Sequence, residues 1–466
     1  MPGRFGRLAA VRSGLPQVRP QPAARSAQGI PVNTAPPRAL PQRLRLYLPC
    51  AAGVEPLLLD EAARLLPGAP LRSGRGGVGV VADAAGLMAL NLGSRLAQRV
   101  LIEVATGPYR DEADLYALAH RIDWPHWITP QHTLRVDVTA RASRLRSLNF
   151  AALRIKDAVC DRMREACGAR PSVDTRAPDL PLVLHLAMER ATLYVDSSGE
   201  PLFKRGWRED TGDAPLKETL AAAMLAAAGW DGTPGGGGAL LDPCCGSGTI
   251  AIEAAQIACG IAPGLKRRFA FERLLPFAAP AQRALLQRLR SAAQARIHPP
   301  AVPVFASDLS FRMVDFARRN AQRAGVGHAI EFHGGDALER PAPALPPMLP
   351  GTLLLNPPYG QRIDAGGRAA RPSVEDRGLP RDWFQQLAAH WKRAFTQHPA
   401  GWTAWVLSPE PKLPGTMRLK ATRRVPLWNG PIECRLFRFD LVAGAFRDER
   451  AGSADPGPGH PGGAAP

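Results

Sequence analysis

Between residues 43 and 200 the apolar positions switch between a period of two and a period near 3.6. RLRLYLPC, from Arg43, reads as a short strand. VEPLLLDEAARLL then reads as a helix, with Leu57, Leu58, Asp60 and Glu61 dividing two faces. GGVGVVAD predicts a strand, AAGLMALNLGSRLAQ a helix running to Gln98, and VLIEVATGPY a strand. DEADLYALAHRI is helical in pattern, and HTLRVDVTA alternates as a half-buried strand does. FAALRIKDAVCDRMREAC carries apolar residues at helical spacing, and LPLVLHLAMERATLYVDSS predicts a hairpin around Glu189 and Arg190. The whole predicts an α+β layer. From Leu216 to Trp230 a strong helix is expected, followed by the turn GTPGGGG.

ALLDPCCGSGTIAIEAA then joins a strand to a helix through a glycine turn. Leu240 and Leu241 end the strand, Asp242 stands at its carboxyl edge, and the helix begins near Thr249. Gly246 and Gly248 let the backbone bend and come close to a ligand. In a doubly wound sheet the ligand binds outside the carboxyl ends of the strands. A dinucleotide site would want GxGxxG, and here Ile250 and Ala251 follow Gly248 with no third glycine. An acid at Asp242 would also repel a pyrophosphate. The turn suits S-adenosylmethionine better than NAD. The rival is a glycine turn that only connects two elements.

Three further strand ends complete the expected site. VPVFASDLS ends at Asp308, whose carboxylate can accept from both ribose hydroxyls of a nucleoside; it could instead cap the helix SFRMVDFARRNAQRAG, a task open also to Ser310. IEFHGGDALE leads to Asp336, which could accept from an adenine amino group or serve as a simple turn residue. TLLLNPPYG ends in Asn356, Pro357, Pro358 and Tyr359. Two prolines stop the strand and stiffen the turn, leaving the Asn356 side-chain carbonyl and the Pro357 backbone carbonyl free to accept. A planar NH2 is a poor nucleophile because its lone pair is delocalised. Two acceptors aimed at its hydrogens hold it and stabilise the charge that grows on nitrogen during methyl transfer. Tyr359 offers a face for stacking an extruded base.

Composition narrows the partner. The chain has 466 residues, enough for two or three domains, and a formal net charge of +18 with a pI near 10.4. That balance points to nucleic acid or an acidic membrane surface, the alternative being solubility alone. No run of apolar residues is long enough for a transmembrane helix, and the start lacks the apolar stretch of a secretory signal. The seven Cys are odd in number and form no CxxC pair, which argues against a disulfide framework and a structural zinc site and for a reducing cytoplasm. His120, His126, His132, His328 and His333 show no metal spacing. Residues 1 to 42 contain no acid and many Pro, Ala and Arg, and predict a disordered basic arm, a transit peptide being the alternative; residues 447 to 466 predict a disordered tail.

The chain resembles the THUMP-domain class I RNA methyltransferases, and among them the guanine-N2 methyltransferases of 23S ribosomal RNA. The resemblance covers residues 43 to about 445. It rests on LDPCCGSGTIAIEAA, LLLNPPYGQRI, LFKRGWRE with APLKETLAAAML, NGPIECRLFRFDL and RSLNFAALRIKDAVCDRM. It implies a ferredoxin-like and THUMP RNA-binding module over residues 43–200 and a Rossmann-like, seven-stranded methyltransferase domain over 201–446. It implies that Asp242, Cys244, Gly246, Gly248 and Thr249 line S-adenosylmethionine, with Asp308 at the ribose and Asp336 near the adenine. Asn356 to Tyr359 would hold the target amino group. Some relatives carry a second methyltransferase domain after this one; the sequence stops here, so the guanine-N2 activity alone is expected.

The basic residues then acquire a task. Arg141, Arg144, Arg146 and Lys156 are expected to meet phosphates, as are Lys204, Arg205 and Arg208 between the two halves. Solvated surface charge is the plain alternative for each. Trp428 and Asn429 could lie near the target base, or Trp428 could be a core residue of a terminal hairpin. The expected protein is a cytoplasmic, monomeric enzyme acting on 23S rRNA or a large-subunit precursor. Two other readings stay open: methylation of another amino group, such as adenine N6 or a protein glutamine, and a non-enzymatic RNA-binding assembly factor.

Overall fold

A computed structural model of the chain describes residues 40–212, 215–358 and 382–442. The expected tail, most of the expected arm and Tyr359 lie outside the described residues.

The first half runs β1 (Leu44–Pro49), α1 (Glu55–Leu65), β2 (Leu71–Gly74), β3 (Gly77–Ala82), α2 (Ala84–Gly93), β4 (Leu101–Pro108), α3 (Glu112–His120), β5 (Thr133–Ala140), α4 (Leu148–Cys167), β6 (Ser172–Val173), β7 (Leu180–Leu186) and β8 (Arg190–Asp196). These strands form one sheet in the order β2-β3-β1-β4-β8-β7-β5-β6. The join between its two parts is the antiparallel pairing of β4 with β8, in which Leu101 lies opposite Asp196 and Pro108 opposite Arg190.

Local chemistry sets the helix ends. Asp83, Asp111 and Ser147 accept backbone N–H groups at the starts of α2, α3 and α4, and Gly168 ends α4 in the left-handed conformation (φ 73°). One end differs from expectation: α2 stops at Gly93 and not near Gln98. The buried Glu61 carboxylate accepts from Ser94 Oγ at 2.6 Å and from the Arg95 and Leu96 N–H groups at 2.8 and 3.3 Å. These bonds give the chain a partner other than a continued helix.

The second half runs α5 (Glu218–Ala228), β9 (Ala239–Asp242), α6 (Thr249–Ala258), α7 (Pro280–Ala295), β10 (Val304–Asp308), α8 (Phe311–Ala324), β11 (Ile330–Gly334), β12 (Gly351–Leu355), α9 (Trp383–Ala394), β13 (Trp402–Ser408), α10 (Leu413–Met417), β14 (Arg423–Asn429) and β15 (Ile432–Leu441). Seven strands make the second sheet, ordered β11-β10-β9-β12-β13-β15-β14. Among them β15 alone runs opposite to the other six. The expected Rossmann-like arrangement is therefore present. Residues 239–242 and 351–355 are buried throughout, as central parallel strands with both faces covered should be. The chain order reverses between β9 and β12, and the carboxyl ends at that switch point are where a ligand is expected.

Candidate active site

Strand β9 delivers Asp242 to its carboxyl edge, 1% exposed. The carboxylate accepts the Cys244 N–H at 3.2 Å through Oδ1, while Oδ2 is buried without a partner. The following turn reverses through Gly246 (φ 52°) and Gly248 (φ 90°). Gly248 is required for packing as well as for its dihedral, since a Cβ there would fall 2.9 Å from the Ala317 Cβ of α8. Gly246 is different. Its missing Cβ points into open space, so its backbone can be approached closely.

Asp308 ends β10 and reaches the same turn. Its Oδ2 accepts the Gly246 N–H at 2.8 Å, and its Oδ1 accepts the Ser310 N–H at 2.9 Å. Ser310 Oγ in turn accepts the Met313 N–H and caps α8, so the cap falls to the serine. Asp336 follows β11 and accepts the Leu338 N–H at 2.9 Å. Burial pushes the Asp242 and Asp308 carboxyls up, and the neighbouring Asp308 raises Asp242 further. The Cys244 and Cys245 thiols are pushed well up by burial and by the carboxylates beside them, so neither is a thiolate nucleophile near neutral pH. The turn is thus lined by buried carboxyl oxygens, acceptors that suit a donor-rich ligand.

Strand β12 pairs in parallel with β9, Leu353 opposite Leu241, which carries Asn356 to the same edge as Asp242. Asn356 Oδ1 is buried and has no partner. Pro357 is buried and Pro358 exposed. The Ser307 hydroxyl is a third buried oxygen without a partner at these strand ends. A buried polar atom left unpaired costs about 1–3 kcal/mol, so three of them around an open glycine turn fit a ligand that brings donors.

The structure does not keep all the cations for RNA. Arg141 and Arg146 are exposed, while Arg144 pairs with Glu189 at the surface, Lys156 with Asp157, and Lys204 with Glu200. Arg205 is a correction. Its side chain is 1% exposed, bonded to the fully buried Glu253 at 3.0 Å and to the Leu202 and Arg95 carbonyls, so no phosphate reaches it. Arg208 is corrected likewise. It bonds Glu218, Ser247, Thr249 and the Leu216 carbonyl and leaves little surface. The Thr249 hydroxyl correspondingly accepts from Arg208 at 2.8 Å. Trp428 sits against the loop after β1: a Cβ on Gly53 would lie 3.3 Å from its ring.

Asn320 was not foreseen. It is fully buried, and its Nδ2 donates to the Asp210 and Ser247 carbonyls at 2.8 and 3.0 Å. The signal was available: Asn320 lies in the apolar stripe of α8 with Val314, Ala317, Ala321 and Ala324, where a polar residue must have partners. Among the described residues no cluster of His, Cys, Asp or Glu is arranged for a metal ion, and no helix is long and apolar enough to cross a membrane.

Residues 205–438 match the RMKL-like methyltransferase domain, residues 109–196 the THUMP domain, and residues 45–101 the RlmL ferredoxin-like domain. The ribosomal RNA large subunit methyltransferase K/L of Aeromonas hydrophila subsp. hydrophila is 35% identical over 423 residues, 88% of this chain and 56% of that protein. The protein of the same name from Syntrophotalea carbinolica is 36% identical over 405 residues, 86% of this chain and 54% of that one. The chain spans about half the length of the curated relatives it matches. Among solved structures, SMU.472 complexed with SAH superposes with a TM-score of 0.72 at 25% identity, covering 86% of this chain and 98% of that one. A predicted N6-adenine-specific DNA methylase from Listeria monocytogenes superposes with a TM-score of 0.71 at 26% identity, covering 85% and 96%. The methyltransferase match alone spans half of the sequence, and the chain belongs to the RMKL-like methyltransferase family.

Proposed function

We propose that this protein is an S-adenosylmethionine-dependent methyltransferase that forms N2-methylguanine in large-subunit ribosomal RNA. The observation that carries the reading is the buried, unpartnered Asn356 Oδ1 at the same sheet edge as the acidic glycine turn. The relatives named for ribosomal RNA, about half of whose length this chain spans, and the THUMP match support RNA as substrate.

When bound, S-adenosylmethionine supplies a methyl group already activated by its sulfonium centre. Asp242 Oδ2 offers an acceptor to the donors of that ligand, and the Gly246 backbone lets it lie close. Asp308 fixes the Gly246 N–H and remains at the ribose end; Asp336 serves the adenine end. Asn356 Oδ1 and the Pro357 carbonyl accept the two hydrogens of the guanine N2 group. They would hold its plane and stabilise the charge that grows there; the surplus proton, acidic on the methylated nitrogen, would then pass to water, so no strong base is needed. Tyr359 is proposed to stack the base.

Residues 43–200 are proposed to carry the RNA and residues 201–446 the chemistry. The exposed Arg141, Arg144 and Arg146 would meet phosphates. A monomer is proposed as the working unit. Ribosomal RNA as substrate supports a cytoplasmic location.

An NH2 grip of this kind also suits adenine N6, and one structural neighbour bears that description. Labelled methyl transfer to rRNA, DNA and protein in parallel separates the readings, followed by mass mapping of the modified nucleosides. N2-methylguanine in large-subunit rRNA is the expected product. Label confined to DNA or protein overturns the proposal.

A further inference from the structure

The connector between the two halves is stitched to the cofactor turn from behind. Arg208 lies 4.9 Å from the Trp207 ring centroid, and Trp207 is itself 2% exposed. Its Nε donates to Glu218 Oε1 at 2.8 Å, at the first residue of α5. One terminal nitrogen donates to Ser247 Oγ at 2.9 Å; the other donates to Thr249 Oγ1 at 2.8 Å and the Leu216 carbonyl at 3.2 Å. Ser247 and Thr249 flank Gly248, where the chain turns into α6. From the far side Asn320 Nδ2 holds the Ser247 carbonyl, and its Oδ1 accepts the Glu209 and Asp210 N–H groups at 3.3 and 3.4 Å. Arg323 Nε donates to the Trp207 carbonyl at 3.0 Å.

We propose that Arg208 is a positioning residue for the cofactor turn. The guanidinium is held on one side by Trp207, Glu218 and the Leu216 carbonyl, and on the other it fixes both hydroxyls that flank Gly248. A guanidinium has only donors, so both hydroxyls accept from it and neither side chain can rotate away. The turn must keep Gly246 open toward the ligand while Gly248 packs on Ala317. Glycines impose no such geometry by themselves, because their backbone is the least restricted. The planar fork supplies the constraint, and a lysine, with one rotatable point charge, cannot reach Glu218 and both hydroxyls together. The basic run Lys204-Arg205-Arg208 therefore serves the cofactor half at this residue.

The inference rests on the cofactor reading above, and the test separates the two. Binding of S-adenosylhomocysteine to the full chain is measured by calorimetry for the wild type and for Arg208→Lys, Arg208→Gln, Ser247→Ala and Thr249→Val. RNA affinity is measured alongside, and methyl transfer is resolved into kcat and KM. Loss of charge-assisted bonds predicts roughly tenfold or greater weakening in both Arg208 variants, with Lys not rescuing. The loss falls on KM for the methyl donor, and RNA affinity holds. Thr249→Val, which removes the hydroxyl at nearly constant volume and whose folding a thermal melt checks, shares the direction of the effect, and its loss does not add to that of Arg208→Gln. Unchanged ligand affinity in Arg208→Gln overturns the proposal, as does unchanged affinity in both Ser247→Ala and Thr249→Val. RNA affinity lost with ligand affinity kept returns Arg208 to the phosphates. A wild type that binds no S-adenosylhomocysteine sinks the cofactor reading and this inference with it.

Discussion

The Asp308 carboxylate accepts the Gly246 N–H at 2.8 Å, so the tip of β10 and the glycine turn after β9 form one unit. The second oxygen of Asp308 is also engaged, by the Ser310 N–H at 2.9 Å. A residue expected either to serve the ligand or to cap α8 braces the glycine turn.

Replacing Asp308 should therefore weaken the ligand in two ways. In Asp308→Ala the Gly246 N–H loses its acceptor and the ribose loses the partner proposed for it. S-adenosylhomocysteine affinity should fall by on the order of 10²-fold, from the removal of two charge-assisted bonds. Calorimetry checks this, and an unchanged affinity would place the ribose elsewhere.

The role proposed for Asn356 separates chemistry from donor binding. Asn356→Ala should lower kcat by about 10²–10³-fold, the usual loss when one preorganised group facing developing charge is removed. Affinity for S-adenosylhomocysteine should stay. The melting temperature should not fall, because an unpaired buried oxygen is removed. Single-turnover methyl transfer and thermal melts together test both statements.

The pH dependence follows from Asp242. Burial, with the charge of Asp308 adding to it, holds its folded-state pKa well above the usual carboxylate range. The neutral carboxyl is thus the form the ligand-free fold prefers. Its contribution to stability is complete below the unfolded pKa of about 3.9 and is lost as pH rises through the higher folded value. Thermal melts of the ligand-free protein from about pH 4 to pH 8 should show that loss, and Asp242→Asn should show a shallower one. A cationic ligand favours the ionised form, so affinity should rise over the same window.

Arg205 should prove structural. Arg205→Ala leaves Glu253 fully buried with Arg95 as its remaining cation, at 3.2 Å. Urea denaturation should show destabilisation of about 3–5 kcal/mol, the range for breaking a buried pair. A fully stable variant that has lost RNA binding would restore the phosphate assignment.

The exposed arginines should behave in the opposite way. Arg141→Ala, Arg144→Ala and Arg146→Ala combined should leave the melting temperature nearly unchanged. They should reduce RNA affinity and lower the slope of log affinity against log salt by roughly one unit for each phosphate no longer neutralised. Filter binding at several salt concentrations measures this.

What the sequence determined by itself was local. A glycine turn after Asp242 and a double proline after Asn356 are recognisable because the dihedrals and strand stops they impose are set within the turn. In the second half, α5, β9, α6, β10, α8, β11 and β12 follow from periodicities of a few residues. The tertiary structure decided everything that depended on a distant partner. Arg205 and Arg208 read as surface cations in a basic stretch, yet Glu253 and Glu218, 48 and 10 residues further on, draw both inward. Asn320 has partners 73 and 110 residues back. The end of α2 was set by Glu61, 33 to 35 residues earlier, and the single sheet of the first half by β8 folding back on β4. Burial of a charge or an amide is favourable only when its partner is already in place, and no window of neighbouring residues contains that partner.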